Sequence, residues 1–380
     1  MDDFVYKEVA VSRAEFIVKS LLDTADVKIN GTRPWDIQLH DRRFYDVVLH
    51  KKALGLGETY MAGWWDCQQL DHCVERLFQS NLEATFKLRP KLWLQVLTHC
   101  IFNFQNKHRA PIVAKQHYDF GNDLFQCMLD DNLVYSCAYW KNADNLNQAQ
   151  LNKLDLVCRK LQLSPGMRLL DIGCGWGSLA KYAAENYGVE VVGITLSQEQ
   201  VELARINCAN IPIDIKLQDY RDISGQFDRI ASIGMFEHVG HKNYGHFMKT
   251  IKKTLAPEGL FLLHTMGSNY TVFTNNDWLE KYIFPNGMLP SIKQIGAASE
   301  LKLTLEDWHN LGTNYHPTLM SWHHNFNSHW DDLKNKYGEQ FRRMWNFYLL
   351  SCAGSAKARG FQVWQMVFSN AGKGDYHSQR

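Results

Sequence analysis

The chain has 380 residues, of which 45% are hydrophobic and 21% charged, with a formal net charge of +1. An ordinary globular core is therefore within reach and long disorder is not expected. The charge balance argues against a nucleic-acid binder, whose phosphate contacts usually leave a strongly basic domain.

No run approaches about 18 uninterrupted apolar residues, so no spanning helix is expected. The opening MDDFVYKEVAVSRAEF is acidic and mixed and does not read as a secretory signal. Nine cysteines, without CxxC pairs or histidine spacing for zinc, read as reduced thiols of a cytosolic protein. The unusual feature is aromatic content, 12 Trp, 16 Tyr and 20 Phe, which serves either a core or a pocket for an apolar or cationic ligand.

In chain order, SRAEFIVKSLLDTA and LDHCVERLFQSNLEATF carry apolar residues at helical spacing, and the glycine-punctuated LGLGETYMAGWWD between them reads as a turn-rich packing element. KLWLQVLTHCIFNFQ places Trp93, Val96, Leu97, Cys100, Ile101 and Phe104 on one helical face. Lys87, Arg89 and Lys91 precede that face, and Lys107, His108 and Arg109 follow it. Such a helix either lies in a membrane interface or docks on its own domain. Pro111 marks a boundary, which gives a helical N-terminal domain over 1–110 and a second domain over 111–380.

Beyond it, RLLDIG, VEVVGITL, IDIKLQD, FDRIASIGMF and GLFLLHTMG read as strands. Helical patterns such as SLAKYAAENYG, SQEQVELARINCAN and NYGHFMKTIKKTL separate them. This β-α-β order predicts an α/β fold with a parallel sheet and helices on both faces, whose ligands sit beyond the C-terminal strand ends. LTLEDW and FQVWQMVFS read as antiparallel edge strands, and a Trp- and His-rich helical stretch over about 269–362 would cover the site.

LLDIGCGWGSLA holds the chemistry-bearing turn. Gly173, Gly175 and Gly177 alternate behind a buried strand and open a helix, an arrangement that lets backbone approach a nucleotide-like ligand. A P-loop is excluded because Ser178-Leu179-Ala180 stands where a Lys-Ser/Thr pair is required. The spacing G-x-G-x-G, led by Asp171, also departs from the dinucleotide fingerprint.

DIGCGWG with this strand order resembles the Rossmann-like S-adenosylmethionine-dependent methyltransferases. Adding VYSCAYW (134–140), SIGMFEHVG (232–240), LLHTMG (262–267), KYIFPNGMLPS (281–291) and GLGETYMAGWW, the chain resembles the bacterial cyclopropane-fatty-acyl-phospholipid synthases over essentially its whole length. That resemblance implies S-adenosylmethionine as cofactor and a methylene added across a cis double bond of an acyl chain still in the bilayer. It further implies a carbocation deprotonated by bound bicarbonate, a peripheral place on the inner face of the bacterial inner membrane, and a homodimer.

The same resemblance implies the site residues. Tyr135, Ser136, Asp171 and Cys174 would bind the cofactor, and Gly173, Gly175 and Gly177 would contact its methionine part through backbone N–H groups. The second strand ends in Gly193-Ile194-Thr195-Leu196-Ser197 without a ribose-binding carboxylate, so Thr195, Leu196 and Gln200 would do that work, although Gln200 reads equally as a helix cap. Gln218, Asp219 and Tyr220 would meet the adenine, with a solvated loop acid as the competing reading of Asp219. Glu237, His264, Tyr315 and Cys137 would grip bicarbonate, Cys137 mainly through its backbone. Cys137 and Cys352 are also tempting nucleophiles, yet methyl transfer to an alkene needs no covalent intermediate, and Cys352 reads as a buried structural thiol. Rival readings are a methyltransferase leaving a methyl branch or methylating a small amine, and a cofactor-binding sensor at the membrane surface.

Overall fold

The computed structural model describes residues 11–80, 120–273, 276–370 and 376–380. The apolar face from Trp93 to Phe104, its basic flanks and Pro111 lie outside the described residues.

The N-terminal part is helical as expected: α1 (Arg13–Thr24), α2 (Phe44–Met61) and α3 (Leu70–Gln79), with a small ladder of β1 (Gln38–Leu39) and β2 (Trp65–Asp66). LGLGETYMAG is a correction. It is helical as far as Met61, in a helix bent at Lys52. Gly55 and Gly57 serve close packing rather than a turn, since a Cβ on Gly57 would stand 2.4 Å from the Trp278 ring and one on Gly55 2.6 Å from the Val47 carbonyl, while Gly63, with φ 73°, does make the turn that follows.

After α4 (Asn122–Met128) and α5 (Leu146–Lys160) the β-α alternation begins. It runs β3 (Arg168–Ile172), α6 (Ser178–Tyr187), β4 (Glu190–Thr195), α7 (Gln198–Asn207), β5 (Ile213–Leu217), β6 (Phe227–Ile233), α8 (Tyr244–Thr254) and β7 (Leu255–Gly267). α9 (Asp277–Tyr282), α10 (Ile292–Ser299), β8 (Thr304–Asn310), α11 (Tyr315–Ser328), α12 (Trp330–Lys357) and β9 (Gln362–Ser369) follow. Sheet order is β5-β4-β3-β6-β7-β9-β8, parallel from β5 to β7. The last two strands do pair antiparallel at that end, but only β8 is an edge. β9 is buried along its whole length between β7 and β8. The order reverses at β3, and the crevice beyond β3 and β6 is where such sheets bind ligands.

One apolar core joins the N-terminal helices to the cover. Val18, Leu22, Tyr60, Trp65 and Val74 share it with Phe125, Trp322, Trp345 and Tyr348. α3 lies so close to α12 that a Cβ on Gly354 would stand 2.2 Å from the Asp71 carbonyl oxygen. The Arg343 guanidinium ties the same parts together, donating to Trp65 O at 2.9 Å and Asp66 Oδ1 at 2.8 Å.

Because backbone cannot yield as a flexible side chain does, Gly354→Ala should force the two helices apart and cost about 1–3 kcal/mol. Gly296, helical and with nothing within 4 Å of a Cβ, should accept alanine with a gain of about 0.5–1 kcal/mol. Urea denaturation midpoints of the two variants check this contrast, and equal midpoints would contradict it.

Candidate active site

The glycine turn is built around three residues with positive φ, Gly173 (82°), Gly175 (54°) and Gly177 (88°). Its own hydrogen bonds take the N–H groups of Gly173, to Ile194 O at 2.9 Å, and of Gly177, to Cys174 O at 2.9 Å. They do not take that of Gly175. The expectation that all three glycines offer N–H groups to a ligand therefore narrows to Gly175. A Cβ there would meet nothing within 4 Å, whereas one on Gly177 would stand 2.7 Å from Cys208 Sγ. Gly177 thus lets α6 approach α7, the packing role that a third glycine plays in related turns.

A cavity with an empty volume of about 1310 Å³, solvent mouth included, opens at this turn. Its walls contain Tyr135, Ser136, Asp171, Gly173, Cys174, Gly175, Thr195, Leu196, Gln200, Gln218, Asp219 and Tyr220, but not Gly177. Thr195 Oγ1 donates to Gln200 Oε1 at 2.7 Å, so the Gln200 side chain is held by the strand end and does not close a capping box. Its backbone N–H still bonds the Ser197 hydroxyl at 3.3 Å. Asp219 is not a solvated loop acid. It is buried, accepting from Arg221 N at 2.9 Å and from the Arg221 guanidinium at 2.9 Å.

Among the further wall residues are Lys153, Met235 and His238, and neither Lys153 nor Met235 was expected there. Lys153 carried a legible signal, a lysine set among Ala149, Leu154 and Val157 on the apolar stripe of its helix.

Glu237 lies in a short turn after β6, beside the next strand. Its Oε1 accepts from Met266 N at 2.6 Å, while its Oε2 is buried without a partner. Burial pushes its pKa up to about 7, against the pull of the Met266 N–H. Tyr315, at the start of α11, lies within electrostatic range of Tyr135, Cys137, Cys352 and Glu237, and burial raises its phenol well above the usual range. Aromatic rings enclose this second cluster: Tyr135 and Tyr315 lie 5.1 and 6.0 Å from Trp322, and Tyr135 and Tyr348 share a 2.9 Å hydrogen bond.

Neither candidate thiol is a nucleophile. Cys137 is buried, its thiol pushed up by desolvation and donating weakly to the carbonyls of Ala138 (3.4 Å) and Leu311 (3.9 Å). Desolvation pushes the Cys352 thiol up to about 12. Thiolate chemistry needs the opposite shift.

His264 sits opposite Ile233 in the β6–β7 register, so the two strands are neighbours as required. Its ring, however, pairs with Gln365 at 3.3 Å, and burial with Lys153 and Lys160 nearby holds it neutral.

Residues 105–366 match the family model of mycolic acid cyclopropane synthetases. The chain belongs to the cyclopropane synthase family. It is 51% identical to the cyclopropane-fatty-acyl-phospholipid synthase of Escherichia coli K12, over 93% of this chain and 92% of that one. It is 38% identical to a probable fatty acid methyltransferase of Pseudomonas putida, over 62% of this chain and 64% of the other. Among solved structures it resembles the mycolic acid cyclopropane synthase CmaA1 complexed with SAH and CTAB. There the TM-score is 0.65 at 32% identity, covering 69% of this chain and 98% of that one. Like its family, the chain is a class I S-adenosylmethionine-dependent methyltransferase, α/β in fold.

A side chain at Gly175 would stand in open space at the cavity wall and occupy the ligand's place. Gly175→Val should abolish S-adenosylhomocysteine binding in calorimetry while the protein stays folded, and Gly177→Val should instead lower the melting temperature by crowding Cys208. Unchanged affinity in the Gly175 variant would contradict the assignment.

Proposed function

We propose that this enzyme adds a methylene group to the cis double bond of unsaturated acyl chains in membrane phospholipids, forming cyclopropane fatty acids. The observation that carries the mechanism is the unpartnered, buried Oε2 of Glu237 inside the aromatic cluster around Tyr315. A buried carboxylate with one empty acceptor position costs free energy unless a donor fills it. A small protonated oxyanion such as bicarbonate fits: Glu237 can accept from its hydroxyl and the Tyr315 phenol can donate to its charged oxygen.

When bound, S-adenosylmethionine supplies an electrophilic methyl on a sulfonium and bicarbonate a small base. The residues of this chain do the rest. Gly173 to Gly175, Thr195, Gln200, Asp219 and Tyr220 hold the cofactor in the cavity, and Tyr135 stands at both cavity and cluster. The rings of Tyr135, Trp322 and Tyr348 exclude water and offer their π faces to the cationic centre that an attacked alkene develops. Glu237 and Tyr315 hold the proton acceptor at that centre, so that proton removal and ring closure outrun capture by water. Cys137 lines the chamber as a neutral thiol.

Among the described residues no helix is long and apolar enough to cross a membrane. An acyl substrate must then be reached from the bilayer surface, as a peripheral enzyme reaches it. The basic-flanked apolar face from Trp93 to Phe104 has the composition for that contact.

Lipids of cells expressing the protein should gain one CH₂ at the double bond without methyl-branch fragmentation; a branched product would favour the fatty acid methyltransferase reading. Glu237→Gln and Tyr315→Phe should each lower turnover roughly 10²–10⁴-fold, the range of a positioned acid–base group, with cofactor affinity little changed. Because burial sets Glu237 at about 7, its carboxylate form is lost as pH falls below that value. Wild-type turnover should fall on that side, and the acid limb of the residual activity of Glu237→Gln should move down to where bicarbonate itself is protonated. A near-normal Gln variant with an unaltered acid limb would contradict this role.

A further inference from the structure

Lys153 lies on the inward face of α5 and is 1% exposed, a rare position for an ammonium. Its Nζ donates to Ser136 Oγ at 3.0 Å. Lys153, Ser136 and Asp171 all line the cavity. A hydroxyl whose oxygen already accepts from an ammonium has its own proton left to offer, so Ser136 faces the cavity as a donor. Asp171, on β3, lies on the same wall, its carboxyl raised to about 7 by burial against the pull of Lys153.

We propose that Lys153 is a positioning residue: it fixes Ser136 as a donor and with it forms the subsite for the carboxylate of an α-amino-acid moiety, whose ammonium faces Asp171. This rests on the reading of the cavity as the S-adenosylmethionine site. Opposed charges on one wall match a zwitterion, and a lysine there offsets the cost of keeping Asp171 ionised in a buried place.

The groups around Lys153 leave it able to titrate. Burial pulls its pKa down to about 8 against the favourable carboxylates of Asp130 and Asp171. Cys137 and Cys158 are thiols kept protonated by burial. His264 stays neutral, its protonation opposed by burial and by Lys153 itself.

The test is calorimetric binding of S-adenosylhomocysteine and of its decarboxylated analogue, which keeps the amine and lacks only the carboxylate. Wild type should prefer S-adenosylhomocysteine by roughly 10–100-fold, the range of a charge-assisted hydrogen bond. Lys153→Met and Ser136→Ala should each erase most of that preference, and the double variant should lose little more. The wild-type preference should also shrink as pH rises through about 8, and by more than in Lys153→Met and Ser136→Ala, in which only the ligands' own amines titrate. Should Lys153→Met not fold, Ser136→Ala and the wild-type pH series decide. Variants that weaken both ligands equally, or a preference indifferent to pH, would overturn the proposal. Wild-type protein that binds neither ligand would instead remove the cofactor reading, and this subsite with it.

Discussion

The site is organised around a carboxylate that the fold buries and then satisfies by half. Glu237 Oε1 accepts from the Met266 N–H at 2.6 Å, its own N–H and the Thr265 hydroxyl also favour the carboxylate, and Oε2 has no partner. A group left this way costs on the order of 1–3 kcal/mol or more for a charge, a penalty that persists in a folded protein only when something else offsets it. The parallel pairing of β6 and β7 makes the geometry unavoidable. It brings Ile233 level with His264, so the turn that follows β6 delivers Glu237 against the backbone two residues further along β7.

What surrounds that carboxylate decides its chemistry. The cluster is closed by α11 and α12, which bring Tyr315, Trp322, Tyr348 and Cys352 together, and α12 packs in turn on α2 and α3. His316, the neighbour of Tyr315, bonds Asp71 of α3 at 3.2 Å. The N-terminal helices therefore help to set Tyr315, whose phenol lies within electrostatic range of Glu237. Desolvation works the same way on every titratable group here, raising acids and thiols and lowering His264 and Lys153. Around Glu237 the result is a set of phenols and thiols that stay neutral.

Much of this was legible in the sequence. Alternating apolar runs gave the strands because a buried parallel sheet demands them, and the glycine turn announced itself because only glycine takes three positive φ values so close together. Twelve of the expected cofactor residues line the cavity: ten lie at or beyond the ends of β3, β4 and β5, where periodicity places a ligand site, while Tyr135 and Ser136 came with the resemblance alone. Local reading failed where a residue answers to a distant partner. Gly55 and Gly57 signal a turn by propensity, yet they sit in a helix because Val47 and Trp278 approach them. Gly177 looked like a ligand contact and is a helix-packing contact with Cys208. Lys153 sat on an apolar stripe, but a lysine there ordinarily turns its head to water, and only the folded position of Ser136 shows otherwise.

The account stands on the claim that Glu237 Oε2 receives its missing hydrogen bond from a small protonated oxyanion. Carbon-13 NMR of labelled bicarbonate, titrated into the protein with S-adenosylhomocysteine present, measures that directly. Saturable binding to the wild type, weakened at least tenfold by Glu237→Gln and by Tyr315→Phe, is the predicted result. No saturable binding to the wild type, or equal binding to the Glu237→Gln variant, would contradict it.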